Sequence, residues 1–200
     1  MAVQLGARPE HSFDEPLGLL SDCHRRIEKF LDVMIRVLDR SDRGNKPLAL
    51  DERDALESAL RYFKNAAPRH TQDEEQSLFP RLRASDDPAA HAALARIEAL
   101  EEDHRRADAM HDEVHQLCRR WLDSLAISAM EAERLNQLLH DLRDTYAGHI
   151  ALEDSELFPL AARVLKDADL KAVGAEMAQR RGLDANGPMS RPKCPSKNRS

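Results

Sequence analysis

One phrase is written twice in this chain, as HTQDEEQSLFPRL from His70 and as HIALEDSELFPLA from His149. Each copy carries a histidine, a glutamate four residues on, a second acid beside it, and then Leu-Phe-Pro. The likeness extends backward along the chain. Laying residues 20–82 on residues 100–161 pairs Leu20 with Leu100, the His-Arg-Arg at His24 with that at His104, Leu56 with Leu135 and Leu60 with Leu139. A unit repeated in this way is one supersecondary element used twice, and it confines the fold to two like halves.

Between the few glycines and prolines, apolar residues recur at helical spacing and never alternate as in a strand. A first helix is expected from about Pro16 to about Arg40, with Asp14 as its cap and Leu20, Ile27, Leu31, Met34, Ile35 and Leu38 as its buried stripe. A second starts near Asp51 and runs into the first motif, kinked at Pro68. Asp87 and Pro88 open a third that reaches about Ser124, and Ser128 with Glu131 forms a capping box for a fourth. Asp167 to Arg181, closed by Gly182, reads as a short fifth. The fold class is all-α: an up-down-up-down four-helix bundle made of a duplicated helical hairpin over residues 16–166, with a C-terminal helix over 167–182. Residues 1–15 are expected to be flexible, and the Pro-, Ser- and Asn-rich basic tail 183–200 to be disordered.

Residues four apart on a helix point the same way, so His70 with Glu74 and His149 with Glu153 are two paired donor sets. His24 falls within the apolar row Leu20, Ile27 and Leu31, at the margin of the core, where an unpaired polar group costs several kcal/mol. Antiparallel packing brings His24 and His104 opposite the motifs. Four histidines and two carboxylates then converge at mid-bundle, a donor set that suits iron, with manganese or zinc as alternatives, and no thiolate is placed to favour zinc. The competing reading, surface ion pairs at spacing four, does not account for His24. The Glu-x-x-His motif of ferritin-like sites occurs once, at Glu101 and His104, with Ser21 in the matching place of the first half.

A lone His, a His-x-x-x-Glu, a second lone His and a second His-x-x-x-Glu, each pair followed by Leu-Phe-Pro, resemble the hemerythrin-like, or HHE cation-binding, domain. The resemblance covers about residues 16–166. It implies two non-haem irons joined by an oxo or hydroxo bridge, with His24, His70, His104 and His149 as terminal ligands and Glu74 and Glu153 bridging. Oxygen-carrying hemerythrins have one more histidine where this chain has Asp108, whose repeat counterpart is Glu28. His111 and His115 stand where the first half has Leu31 and Ile35, and Tyr146 lies three residues before His149. A relay role for His111 and a hydrogen bond from Tyr146 near the centre are both open. So is simple packing.

The formal charge is −6, and the basic tail makes the folded body more acidic still, which argues against a nucleic-acid partner. No run of about eighteen apolar residues is present to cross a membrane. Cys23, Cys118 and Cys194 have neither disulfide nor zinc spacing, so a reducing, cytoplasmic setting is expected. The expected function is a metal-binding protein whose di-iron centre binds or senses oxygen, nitric oxide or iron. The alternative is a di-iron enzyme acting on peroxide or repairing iron centres under oxidative or nitrosative stress. The partner at iron is a small diatomic molecule or peroxide, and any output would run through a protein partner.

Overall fold

The computed structural model describes residues 9–183, and no strand occurs among them. Helix α1 is Pro16–Arg40. A second rod is assembled from α2 (Leu50–Asn65), α3 (Ala67–Asp73), a widened π-helical turn π1 (Glu74–Leu78) and α4 (Phe79–Arg83). The short α5 (Pro88–Ala92) leads into α6 (Leu94–Ser124). A fourth rod follows as α7 (Ala129–Leu152), a second wide turn π2 (Glu153–Leu157) and α8 (Phe158–Val164), and α9 (Asp167–Arg180) ends the described chain.

Packing closes a ring, with α1 against α2 and α7, and α6 against α2 and α7. Directions follow from the two apolar clusters. One gathers the late part of α1 (Ile27 to Leu38), the start of the second rod (Leu56 to Ala67), late α6 (Ala107 to Leu122) and early α7 (Ala132 to Leu142). The other gathers early α1 (Leu19, Leu20), the end of the second rod (Leu78, Phe79, Leu82), early α6 (Ile97, Leu100) and the end of the fourth rod (Leu157, Phe158, Ala161). Neighbouring rods therefore run in opposite directions. Between the two apolar ends lies a polar layer of buried histidines and glutamates.

Most expected boundaries hold. The second rod breaks at Ala66, with Pro68 in the first turn of α3, where its missing N–H costs nothing. The Asp87 side chain accepts from Ala89 N at 2.7 Å, and Ser128 and Glu131 make the reciprocal capping box. Three details differ. Glu15, not Asp14, is the residue before α1, and it makes no side-chain cap. The third helix is interrupted at Ala93, because Asp87 and Pro88 nucleate only a short turn before α6 begins. Over its described part the N-terminal segment packs on the bundle: His11 bonds Asp22 through its backbone N–H (2.8 Å) and its ring, and Phe13 joins the second apolar cluster. Gly174 lets α9 approach it, since a Cβ there would lie 1.9 Å from the Phe13 carbonyl oxygen. Residues 1–8 and the basic tail from 184 lie outside the described residues.

Helix α9 is tied down by charge. Asp73, fully buried, accepts from Arg180 Nη1 at 2.7 Å and from Arg181 Nη2 at 2.6 Å. Arg81 pairs with Glu176 at 2.7 Å, and Ser77 bonds both Glu176 and Arg180. In the repeat register Asp73 matches Leu152 and Ser77 matches Glu156, so this dock belongs to the first half alone. Removing both arginines (Arg180→Ala with Arg181→Ala) strands a buried carboxylate and is expected to cost about 3–5 kcal/mol. Asp73→Leu, which leaves two arginines able to reach water, is expected to cost less. Urea unfolding of both variants decides, and an equal or reversed order would contradict the clamp.

Candidate metal centre

The two wide turns arise from the repeated Leu-Phe-Pro. Pro80 and Pro159 lack an N–H, and in a regular helix their rings would crowd the carbonyl four residues back. The chain widens instead, and Phe79 N–H and Phe158 N–H bond the carbonyls of Glu74 and Glu153, five residues back. The two glutamates thus each open a π turn at the end of a helix carrying a histidine. Leu78, Phe79, Leu157 and Phe158 go into the apolar cluster beneath and hold the turns in place.

All six residues singled out from the sequence meet at mid-bundle. His24, His70, Glu74 and Glu153 form one group with donor atoms mutually within 4.8 Å, and Glu74, His104, His149 and Glu153 form another. The glutamates are common to both. Glu74 Oε1 lies 3.2 Å from His70 Nε2, and its Oε2 lies 3.4 Å from His104 Nε2. Glu153 Oε2 lies 3.1 Å from both His24 Nε2 and His149 Nε2. Each carboxylate therefore reaches histidines of both hairpins, and both are fully buried.

An outer layer fixes the rings. His24 Nδ1 donates to Asp154 Oδ1 at 3.0 Å, and His104 Nδ1 donates to Glu75 Oε1 at 2.8 Å. These are the second acids of the repeated phrase, and each orients the lone histidine of the opposite hairpin. With Nδ1–H engaged, Nε2 is the nitrogen whose lone pair faces inward once its proton has left, which is how carboxylates set the tautomer of metal-binding histidines. Ser21 and Arg25 in turn bond Asp154. His149 Nδ1 has Asp103 at 3.8 Å, whereas His70 Nδ1 is buried with no hydrogen-bond partner.

Whether a cation belongs here is tested by the polar atoms left over. Among the described residues, buried side-chain atoms without a hydrogen-bond partner are both oxygens of Glu74 and of Glu153, His24 Nε2, His70 Nδ1, and one atom elsewhere, Trp121 Nε1. Buried polar groups are almost always paired, so orphans concentrated on these histidines and glutamates fit a cation-binding site. Nitrogen and oxygen donors of this kind, with no thiolate among them, fit a hard or borderline divalent metal.

A profile of the hemerythrin HHE cation-binding domain matches residues 15–161. The chain belongs to the hemerythrin HHE family. An uncharacterized protein of Haemophilus influenzae is 29% identical over 173 residues, 85% of this chain and 92% of the relative. Within this HHE domain the remaining sequence candidates fall outside the cluster. Glu28 pairs with Arg25 at 2.8 Å, and Asp108 is exposed. Glu101 grips Arg83 through two bonds of 2.9 Å, so the single Glu-x-x-His does not contribute to the centre. His111 is bonded to Tyr146, its Nε2 3.1 Å from Tyr146 Oη, and stacks on Phe63. Glu75 and Asp154 are the residues that sequence reasoning left without a role. Their signal was present in the acid repeated directly after Glu74 and Glu153.

Protonation of the HHE domain without metal is set by the same contacts. Burial alone would lower His24, yet Asp154, Glu153 and Glu74 raise it from 6.5 to about 11. His104 is likewise raised, against burial, to about 9 by Glu74 and Glu75. Burial lowers His70 to about 4, and burial opposed by the imidazoles leaves Glu74 well below its ordinary value. At pH 7.5 the metal-free protein thus carries protons on His24 and His104, both of which must leave when neutral imidazole binds a cation. Metal binding is expected to release about two protons per chain near neutral pH, and affinity to rise with pH steeply up to about 9, where His104 loses its proton, and less steeply from there to about 11, where His24 does. Calorimetry in buffers of different ionisation enthalpy reads this number, and no proton release would contradict it. Asp154→Asn and Glu75→Gln are each expected to lower metal affinity by roughly 10–100-fold, measured by competition with a chelator; unchanged affinity would remove the orienting role.

Proposed function

We propose that this HHE domain holds two iron ions bridged by Glu74 and Glu153, with His24 and His70 on one and His104 and His149 on the other. The observation that carries the reading is the overlap of two four-donor groups through the same two carboxylates. One ion would leave half of the imidazoles idle. Iron would supply a redox-active Lewis acid with exchangeable positions. The chain's own residues hold the imidazoles of His24 and His104 by Nδ1 and exclude water from Glu74 and Glu153, and two histidines per ion would leave its ligand set open to an exogenous molecule. On that basis the domain binds a small oxygen- or nitrogen-containing ligand, such as dioxygen, nitric oxide or peroxide, and its ligand state reports or buffers that species.

No helix of the described residues is long and apolar enough to cross a membrane, and Cys23 and Cys118 are free and buried, which favours a reducing cytoplasmic setting. Anaerobic loading with ferrous iron is expected to plateau at about two irons per chain. A plateau at one would make the site mononuclear. Glu74→Ala and Glu153→Ala are each expected to lose metal and lower the melting temperature of the loaded protein, whereas parental iron content in either variant would return the pair to a structural role. Reversible binding of dioxygen or nitric oxide by the reduced, loaded protein supports a binding protein, and rapid turnover of peroxide supports the enzyme.

A further inference from the structure

The chain holds two tyrosines and one tryptophan, the aromatic rings that a strong oxidant can strip of an electron. A phenol or indole that loses an electron becomes a strong acid, so its oxidation is eased where a base within hydrogen-bond reach takes the proton in the same step. The structure separates the three rings on that requirement. Trp121 is buried, and its Nε1 has no hydrogen-bond partner. The Tyr62 hydroxyl donates to the Cys23 carbonyl oxygen at 3.3 Å, and a peptide carbonyl does not hold a proton near neutral pH. The Tyr146 hydroxyl lies 3.1 Å from His111 Nε2, an imidazole nitrogen that can.

His111 is free to take that proton. Burial lowers its pKa to about 4, so at neutral pH the imidazole is uncharged, and in its Nδ1–H tautomer Nε2 accepts the bond from the phenol. An oxidised phenol is a far stronger acid than any imidazolium, so even this weakened base receives its proton. Phe63 stacks on the imidazole at 4.4 Å between ring centroids and fixes its plane. On the other side the Tyr146 ring meets His149 edge-on at 6.4 Å, so a single ring-to-ring step separates the phenol from a residue of the metal centre. The first half has Leu31 and Ala67 in the matching places, and neither can give an electron or take a proton.

We propose that Tyr146 is a redox-active tyrosine, which gives one electron to a strong one-electron oxidant formed from peroxide at the metal centre while its hydroxyl proton passes to His111 Nε2. The O–H bond of Tyr146 breaks, an N–H bond forms on His111, and the oxidant is reduced by one electron. The pair is left as a neutral phenoxyl beside an imidazolium. Oxidising equivalents that would otherwise attack the clustered imidazoles are drawn off to one ring. Tyr146 is the donor, and His111 is the positioning base. The proposal rests on the iron-binding reading above.

The test treats the iron-loaded protein with hydrogen peroxide and follows two readouts: the organic radical by freeze-quench electron paramagnetic resonance, and oxidation of His24, His70, His104 and His149 by peptide mass spectrometry. Ring-deuterated tyrosine identifies the radical by narrowing its signal. Iron content and far-UV circular dichroism are matched across the samples. The parent and Tyr62→Phe are expected to give the tyrosine signal at equal yield, and Tyr146→Phe none. His111→Gln keeps a hydrogen-bond acceptor but no base, and is expected to lower the yield severalfold. Histidine oxidation is expected to rise in Tyr146→Phe and His111→Gln and to stay at the parental level in Tyr62→Phe. A signal that survives Tyr146→Phe or disappears with Tyr62→Phe would overturn the assignment. So would a parent that holds two irons per chain and gives no tyrosine signal, with the dinuclear reading left intact. Iron below two per chain contradicts that reading separately, and flash oxidation of the metal-free chain in the same variants then decides whether Tyr146, through His111, is the ring oxidised.

Discussion

Two carboxylates, Glu74 and Glu153, sit fully buried at the middle of the bundle with no hydrogen-bond partner on any of their four oxygens. Leaving an ionised group unpaired in the interior costs several kcal/mol, against a net stability of about 5–15 kcal/mol for a domain. Everything around them addresses that cost. Four imidazoles converge on the pair, two of them pushed toward the protonated form when no cation is present. The apolar clusters above and below exclude water, and the wide turns π1 and π2 place the glutamates at the same depth. A cation between the carboxylates satisfies the orphaned donors together, which neither imidazole protons nor water reaching a closed layer accomplish as fully.

The two halves depend on each other in a specific way. Glu75 belongs to the first hairpin but orients His104 of the second, and Asp154 belongs to the second but orients His24 of the first. A hairpin alone would present a histidine pair with no partner for one ring. The interlock explains why the second acid is repeated along with the ligands. Asymmetry is added outside this frame: α9 docks through Asp73 on the first half, and the second half has the hydrogen-bonded His111 and Tyr146 where the first has Leu31 and Ala67.

The convergence of the four histidines and two glutamates, and the bundle, were legible because both are helical-period signals written twice. His24 within an apolar row, and glutamates four residues after His70 and His149, need nothing beyond helix geometry to be placed together. The π turns were not legible as such, although Pro80 and Pro159 were their cause, because a proline inside a helix signals a kink as readily as a widened turn. The break at Ala93 and the uncapped start of α1 depend on local competition between short-range bonds, which sequence patterns resolve poorly. Partners set by tertiary packing, such as Tyr146 for His111, Arg83 for Glu101 and Asp73 for α9, were beyond reach, since no periodicity records which helix faces which.

The central claim is that the repeated phrase supplies equivalent halves of one shared site. Anomalous diffraction at the iron edge from crystals of the loaded protein tests it most directly. Two peaks flanking the carboxylates of Glu74 and Glu153, one beside His24 and His70 and the other beside His104 and His149, are the predicted result. A single peak, or peaks away from these glutamates, would contradict it.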